Sequence, residues 1–281
     1  MLILPMIPFF LGYVAQNESN HTPTYIFHVR IDTLLNNHSK TDNKESNAGL
    51  EFNLKCQPHE NENLKCHIPK TISYSPSTDP IHMVDNNVFT PSSLQFNRIR
   101  YRMSFDFKGV TDYQFLTENV TNKEALLEIY QFIGDQLSVG VNLKKKEFVF
   151  NATENTIIGQ CPTLYKLNQD VMYNRKSFKL ISLIANHRYR LNENESFHIS
   201  KQRRVNECQS QKSYIFGRSL WIDFITSNVT AKPKDSGTLM SYNQHDFYTK
   251  TINTFDLYNE QDNKVGYLYE TINVRLESVK K

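Results

Sequence analysis

Apolar and polar residues alternate with period two along most of this chain, which is the pattern of half-buried β-strands. Tyr25, Phe27, Val29 and Ile31 share one face, while His28, Arg30 and Asp32 share the other with Ile26. A polar run from Asn36 to Asn47 reads as a loop, and alternation resumes from Leu50 to Cys56. The clearest strand places Ile99, Tyr101, Met103, Phe105 and Phe107 against Arg98, Arg100, Arg102, Ser104, Asp106 and Lys108. Gly109 then turns the chain, and Val110, Tyr113 and Phe115 return as a hairpin. Further strands are predicted over Glu147–Asn151, Thr156–Leu167, Phe178–Ile184, Ser196–Ser200, Ser213–Phe216, Leu220–Ile225, Asp246–Asn253 and Lys264–Leu276.

One segment departs from this period. From Thr121 to Val139, Leu126, Ile129, Tyr130, Ile133 and Leu137 form a helical stripe, widened by Ala125, Leu127 and Phe132. Glu124, Glu128, Gln131 and Asp135 lie opposite, and Thr121 with Glu124 has capping-box spacing. An apolar surface this broad needs covering over most of its circumference, which a curved sheet or barrel supplies. The expected class is therefore mainly β, an antiparallel barrel-like sheet around one α-helix at about 121–139. No fixed-period repeat or Pro/Gly-rich linker divides the chain, so 16–281 is expected to be one domain.

Composition narrows the setting. The first fifteen residues, Met1 to Ala15, carry no charged side chain, and their apolar run has the length of a signal peptide rather than of a membrane span. Sequons follow at Asn17, Asn20, Asn37, Asn119, Asn151, Asn194 and Asn228, all candidate glycosylation sites if the chain is secreted. The four cysteines suit an oxidising, extracellular compartment and allow three pairings. A hairpin would bring Cys56 to Cys66 and leave Cys161 with Cys208; the competing reading is a zinc site built from Cys56, His59, Cys66 and His67.

Catalytic spacings are absent: there is no nucleophile elbow, H-E-x-x-H, phosphate loop or dinucleotide fingerprint, and the nine histidines are scattered singly. A binding protein is expected rather than an enzyme, with no cofactor unless a lipid. The net charge of +3 is too mild to specify a polyanion partner, so basic recognition must come from clusters. Arg98, Arg100 and Arg102 form one such stripe, repeating at about 7 Å along a strand and suited to anionic surfaces or nucleic acid. Lys144, Lys145 and Lys146 follow the helix as ordinary loop charge, and Lys201, Arg203 and Arg204 precede Cys208.

Three stretches, in order, resemble the amino-terminal domain of the vitellogenin family of large lipid transfer proteins. They are Gly159-Gln160-Cys161-Pro162-Thr163-Leu164-Tyr165; His198 to Arg204 leading to Cys208 and Phe216-Gly217; and Ser236-Gly237-Thr238-Leu239 leading to Tyr258-Asn259 and Ile272 to Leu276. The resemblance spans about residues 24 to 278. It implies a barrel-like sheet around a central helix and a Cys161–Cys208 disulfide. It also implies a docking role for Lys201, Arg203 and Arg204 against a lipoprotein-receptor-type protein with acidic modules. Members of that family continue through a helical domain and lipid-cavity sheets, whereas this sequence stops at Lys281, so bulk lipid carriage is the alternative reading. A lipid or yolk-type storage role would use apolar strand faces near Phe105, Phe107, Tyr113 and Phe115, and nucleic acid is the least favoured ligand.

Overall fold

The alternating runs become strands in the structure, a computed structural model that describes residues 24–38, 43–59, 63–69, 71–74, 99–106, 109–118, 120, 123–141, 143, 147–171, 195–210, 229–243 and 245–280. The strands are β1 (Thr24–His38), β2 (Asn43–His59), β3 (Asn63–His67), β4 (Thr71–Tyr74), β5 (Arg100–Asp106) and β6 (Gly109–Phe115). After the helix α1 (Lys123–Gln136) come β7 (Val149–Thr156), β8 (Gly159–Val171), β9 (Glu195–Arg203), β10 (Thr230–Tyr242), β11 (Phe247–Tyr258) and β12 (Lys264–Lys280). They form one antiparallel sheet in the order β6-β5-β3-β2-β1-β12-β11-β10-β9-β8-β7, with β4 pairing β2 off that path. The sheet curls into a nearly closed barrel whose two free edges are β6 and β7.

Register follows from which parity is apolar, because a slip of one residue would turn every core side chain to solvent. Tyr25, Phe27, Val29 and Ile31 are buried as the alternation requires, and Leu54, Phe52 and Leu50 of β2 oppose the last three in register. The helix lays Leu126, Ile129, Tyr130, Phe132, Ile133 and Leu137 into the same apolar cluster. Each of its fully buried aliphatic side chains contributes roughly 1.5–3 kcal/mol. Tyr130 stacks on Tyr101 of β5 with ring centroids 3.6 Å apart and planes 11° from parallel.

Several elements differ from expectation. The polar run Asn36–Asn47 is strand at both ends, Asn36–His38 finishing β1 and Asn43–Asn47 beginning β2; pairing within a long hairpin overrides its composition. Ile157 and Ile158 form the turn between β7 and β8 rather than the start of a strand. Both are buried, and the Ile157 amide donates to Asp135 Oδ2 at 3.0 Å, so an apolar turn is tucked beneath the helix. Strand β10 escapes the alternation reading because Pro233, Asp235 and Gly237 interrupt it, and its ladder shifts register between Pro233 and Asp235. The expected signal segment 1–15, Arg98, Phe107, Lys144–Lys146, the strands expected at 178–184, 213–216 and 220–225, and Thr121 of the expected capping box lie outside the described residues.

The helix and β6 approach closely at Gly134, where a Cβ would stand 2.0 Å from the Tyr113 hydroxyl and 3.0 Å from Val110 Cγ2. Helix propensity favours Ala over Gly by about 1 kcal/mol, but this collision reverses the sign. Gly134→Ala is expected to destabilise the fold by about 1–3 kcal/mol, the usual cost of overpacking. Urea unfolding of the two chains decides it, and a stabilised variant would refute the contact.

Candidate functional site

The inward parity of β9 runs Phe197, Ile199, Lys201, Arg203, so alternation carries two cations into the interior after two apolar residues. Lys201 is 0% exposed and Arg203 4%. Burying such charges is costly unless they are paired and fully hydrogen-bonded. Glu154, on the inward parity of β7 and 2% exposed, supplies the partner. Its Oε1 accepts from Lys201 Nζ at 2.7 Å and its Oε2 from Arg203 Nε at 2.9 Å. Lys201 also donates to the Ser138 carbonyl at 2.7 Å, just beyond α1. Arg203 donates through Nη1 to Ser236 Oγ at 3.1 Å and Thr238 Oγ1 at 3.0 Å on β10.

This placement corrects the expectation that Lys201 and Arg203 are offered to a partner: strand alternation turns both inward, where each is paired with Glu154. Arg204, one residue on, points outward at 55% side-chain exposure and lies 3.6 Å from Glu207. The Cys161–Cys208 disulfide is formed, and the backbone bridge between Gln160 and Gln209 continues that tie between β8 and the chain beyond β9. Cys56 and Cys66 are also bonded to each other across the β2–β3 ladder, which excludes them as zinc ligands.

The charge network sits in a longer polar row. Thr163, Arg203, Ser236, Asn253, Glu270 and Thr33 are register partners on successive strands from β8 to β1, and all six are buried. This row separates the main apolar cluster from a smaller one made of Leu35, Ala231, Phe255, Leu257 and Leu268. Ser236 Oγ donates to Asn253 Oδ1 at 2.8 Å, and Asn253 Nδ2 to Glu270 Oε1 at 2.8 Å. Glu270 Oε2 and its register neighbour Thr33 Oγ1 have no hydrogen-bond partner. A void of about 10 Å³, the size needed for one water, lies beside the row among Asp135, Gln136, Arg203, Thr251 and Asn253.

Electrostatics divides the buried acids into two kinds. Burial would raise the Glu154 carboxyl, but Arg203 and Lys201, through charge and hydrogen bonds, hold it below the ordinary range. Burial depresses the Lys201 ammonium, against the pull of Glu154. Glu270 has no counter-charge, and burial pushes it up to about 7 against the Asn253 hydrogen bond. Asp135 is pushed up to about 7 by burial, opposed by the Ile157 amide and by Arg203.

The outer face carries a different charge pattern. Lys55, His67 and Arg100 are register neighbours across β2, β3 and β5, and Gln57, Lys65, Arg102 and Gln114 form the adjacent row. Their parity is opposite to that of buried Cys56, Cys66 and Tyr101, so they face outward. Thus Arg100 and Arg102 of the expected stripe do lie on one surface, joined by three residues that β5 alone does not reveal. The aromatics suggested as a lipid face are placed otherwise: Phe105 is in the core, and Tyr113 and Phe115 pack against it. Of the sequon asparagines, Asn151 is exposed on β7; Asn37 has only its backbone described, and the other five lie outside the described residues.

Glu154, Asp135 and Glu270 were missed as site residues, although a signal for two existed. Glu154 continues the inward parity of Phe150 and Ala152, and Glu270 stands between Leu268 and Ile272 on that of β12. An ionisable residue on the apolar parity of a strand marks a buried titratable group.

No family model matches the chain, and no curated protein matches it in sequence. Among solved structures it is similar to one of lipovitellin, described for its lipid–protein interactions, at 13% identity and a TM-score of 0.55. The match covers 94% of this chain and 26% of that one. The chain therefore has a lipovitellin-like fold and spans about a quarter of that relative's length.

Two outcomes follow from the buried charges. Glu154→Gln leaves two buried cations without their anion and is expected to cost about 3–5 kcal/mol in urea unfolding, whereas Arg204→Ala stays within about 0.5 kcal/mol. Glu270 and Asp135 retain protons in the fold that the unfolded chain releases. Their stabilising effect is whole below the ordinary carboxylate range and declines as pH rises to about 7. The depressed Glu154 acts oppositely, losing its contribution as pH falls below its ordinary range. The melting temperature should peak in weak acid and fall toward neutrality, with each raised group contributing at most about 1.4 kcal/mol per pH unit. Glu270→Gln should flatten that fall, and a parallel profile would refute the assignment.

Proposed function

We propose that this chain is a non-catalytic, extracellular binding module, engaged from outside by a receptor-type protein with acidic surface groups, and built with its helix enclosed by the barrel. The observation that carries this reading is that α1 packs its apolar side chains into the main core cluster, formed with the inward residues of the sheet, and that Lys201 and Arg203, the two inward cations of β9, are both paired with Glu154. The paired disulfides fit an extracellular setting, consistent with the leader-like Met1–Ala15 segment and the exposed sequon at Asn151.

Lipid carriage is the second reading, favoured by the likeness to a lipovitellin structure described for lipid–protein interactions. Fold alone does not transfer that role, because function resides in sites placed on folds. Of the face suggested for lipid, Phe105 lies in the core and Tyr113 and Phe115 pack against it. Lipid extraction and mass spectrometry on the protein purified from secretion, against an unrelated secreted control, separate the two. The module reading expects well under one specific lipid per chain; one or more per chain overturns it in favour of carriage.

A further inference from the structure

The outer face of β2, β3 and β5 concentrates five basic residues from three strands. Lys55, His67 and Arg100 stand in one row and Lys65 and Arg102 in the next. Strands lie about 4.8 Å apart and alternate residues about 7 Å apart, so the cationic heads form a close lattice. Among the described residues, no Asp or Glu belongs to either row. Arg102 donates to Gln114, a neutral partner in its own row. His67 is held below the ordinary imidazole range by burial and then by Lys55 and Arg100, as expected of a positive field without local counter-charge. The basic side chains on the neighbouring β1 face are occupied differently: Arg30 is on Asp32, and His28 Nε2 lies 2.9 Å from Glu51 Oε1.

We propose that this face binds a linear sulfated polysaccharide, its sulfates on Lys55, Lys65, Arg100 and Arg102 and its hydroxyls on the flanking Gln57 and Gln114 amides. Three features favour that ligand over other polyanions. The two rows present lysine, arginine, histidine and glutamine but no Phe, Tyr or Trp, so the large rings on which single-strand binders stack successive bases are missing from them. They also lack the aromatic or aliphatic anchor around which protein interfaces concentrate their energy, the exposed Leu116 standing only at the rim beside Arg100. Finally, the disulfides fit an extracellular protein, where stiff, sulfated chains are an available polyanion. Guanidinium and ammonium groups together bind sulfate oxygens through charge-assisted hydrogen bonds, and the lattice supplies several at once to a stiff chain.

This goes beyond the receptor-module reading and does not depend on it. The test is binding of the full chain to a size-defined heparin dodecasaccharide, followed by titration at several salt concentrations. The expected result is binding that weakens with salt, disappears with the desulfated dodecasaccharide, and drops at least about tenfold in Lys65→Gln/Arg100→Gln, which is 1.4 kcal/mol. Lys55→Gln, a single outward change, should also weaken it at an unchanged melting temperature. Lys232→Gln, which removes an exposed cation paired with Asp262 elsewhere on the sheet, should bind like the parent. Parent-like affinity in the folded double and single variants overturns the proposal. So does equal affinity for the desulfated chain, for a polyglutamate peptide or for a single-stranded oligonucleotide of matched charge. None of these outcomes bears on lipid stoichiometry.

Discussion

The structure turns on one buried carboxylate. Glu154 joins β7, the free edge strand, to β9 through Lys201 and Arg203, and those two cations extend the tie to β10 and to the carbonyl just beyond α1. Without it the interior would hold two uncompensated cations in a medium where each costs several kcal/mol. The position is held from both sides. A Cβ on Gly140, which adopts φ +75°, would meet Glu154 Cγ at 2.8 Å, and the Tyr165 hydroxyl donates to the Val139 carbonyl at 3.1 Å beside it. The irregular segment after the helix is thus shaped around the carboxylate, and the Cys161–Cys208 disulfide closes the sequence beyond β9 onto β8.

That constraint explains why a barrel in a chain with so few glycines closes around a polar row. Hydrophobic burial sets which face of each strand is inward, but it does not distinguish one register from another two residues away. A continuous line of hydrogen-bonding side chains does, since a two-residue slip between β11 and β12 would set Asn253 against Leu268 or Ile272, and one between β12 and β1 would set Glu270 against Ile31 or Leu35. The row therefore gives register specificity, a role buried polar groups fill elsewhere. Its weak point is Glu270, whose second oxygen and the neighbouring Thr33 hydroxyl lack partners while the carboxyl is ionised. Protonation turns that oxygen into a donor, the physical reason for preferring the neutral form.

Much of the fold was legible from alternation alone. β1, β5, the return of β6 and β12 were placed because their inward residues are mostly apolar and their outward residues mostly polar, and β9 and β11 were placed although Lys201 and Arg203, and Thr249, Thr251 and Asn253, lie on their inward parity. The helix was legible because a 3.6-residue period stands out against a period of two. What escaped did so for specific reasons. β10 carries Pro233 and Gly237 and a shifted register, and the ends of the first hairpin are polar because partner strands rather than side chains hold them. The site was less legible. Lys201, Arg203 and Arg204 look alike in sequence, and only the parity of β9 shows that two are internal and one external. The outer basic face required knowing that β3 lies between β2 and β5, which no local pattern encodes.

These placements redirect the search for function. A basic cluster in sequence suggests recognition, yet two of the three residues before Cys208 serve the interior, and altering them would abolish binding by unfolding the barrel as readily as by removing a contact. Residues on β2, β3 and β5 have the opposite property. Their backbones are fixed by ladders on both sides and their Cα atoms are anchored by the Cys56–Cys66 link, while their side chains lie on the parity opposite to the buried Cys56, Cys66 and Tyr101. A binding surface built this way orders its lysine and arginine side chains on meeting a stiff ligand but has no backbone left to order, so more of the electrostatic attraction survives as affinity than on a mobile loop. The same lipovitellin-like barrel can thus keep its stabilising ions inside and change its outer charges freely, and it is on that outer face that the function of this chain should be sought.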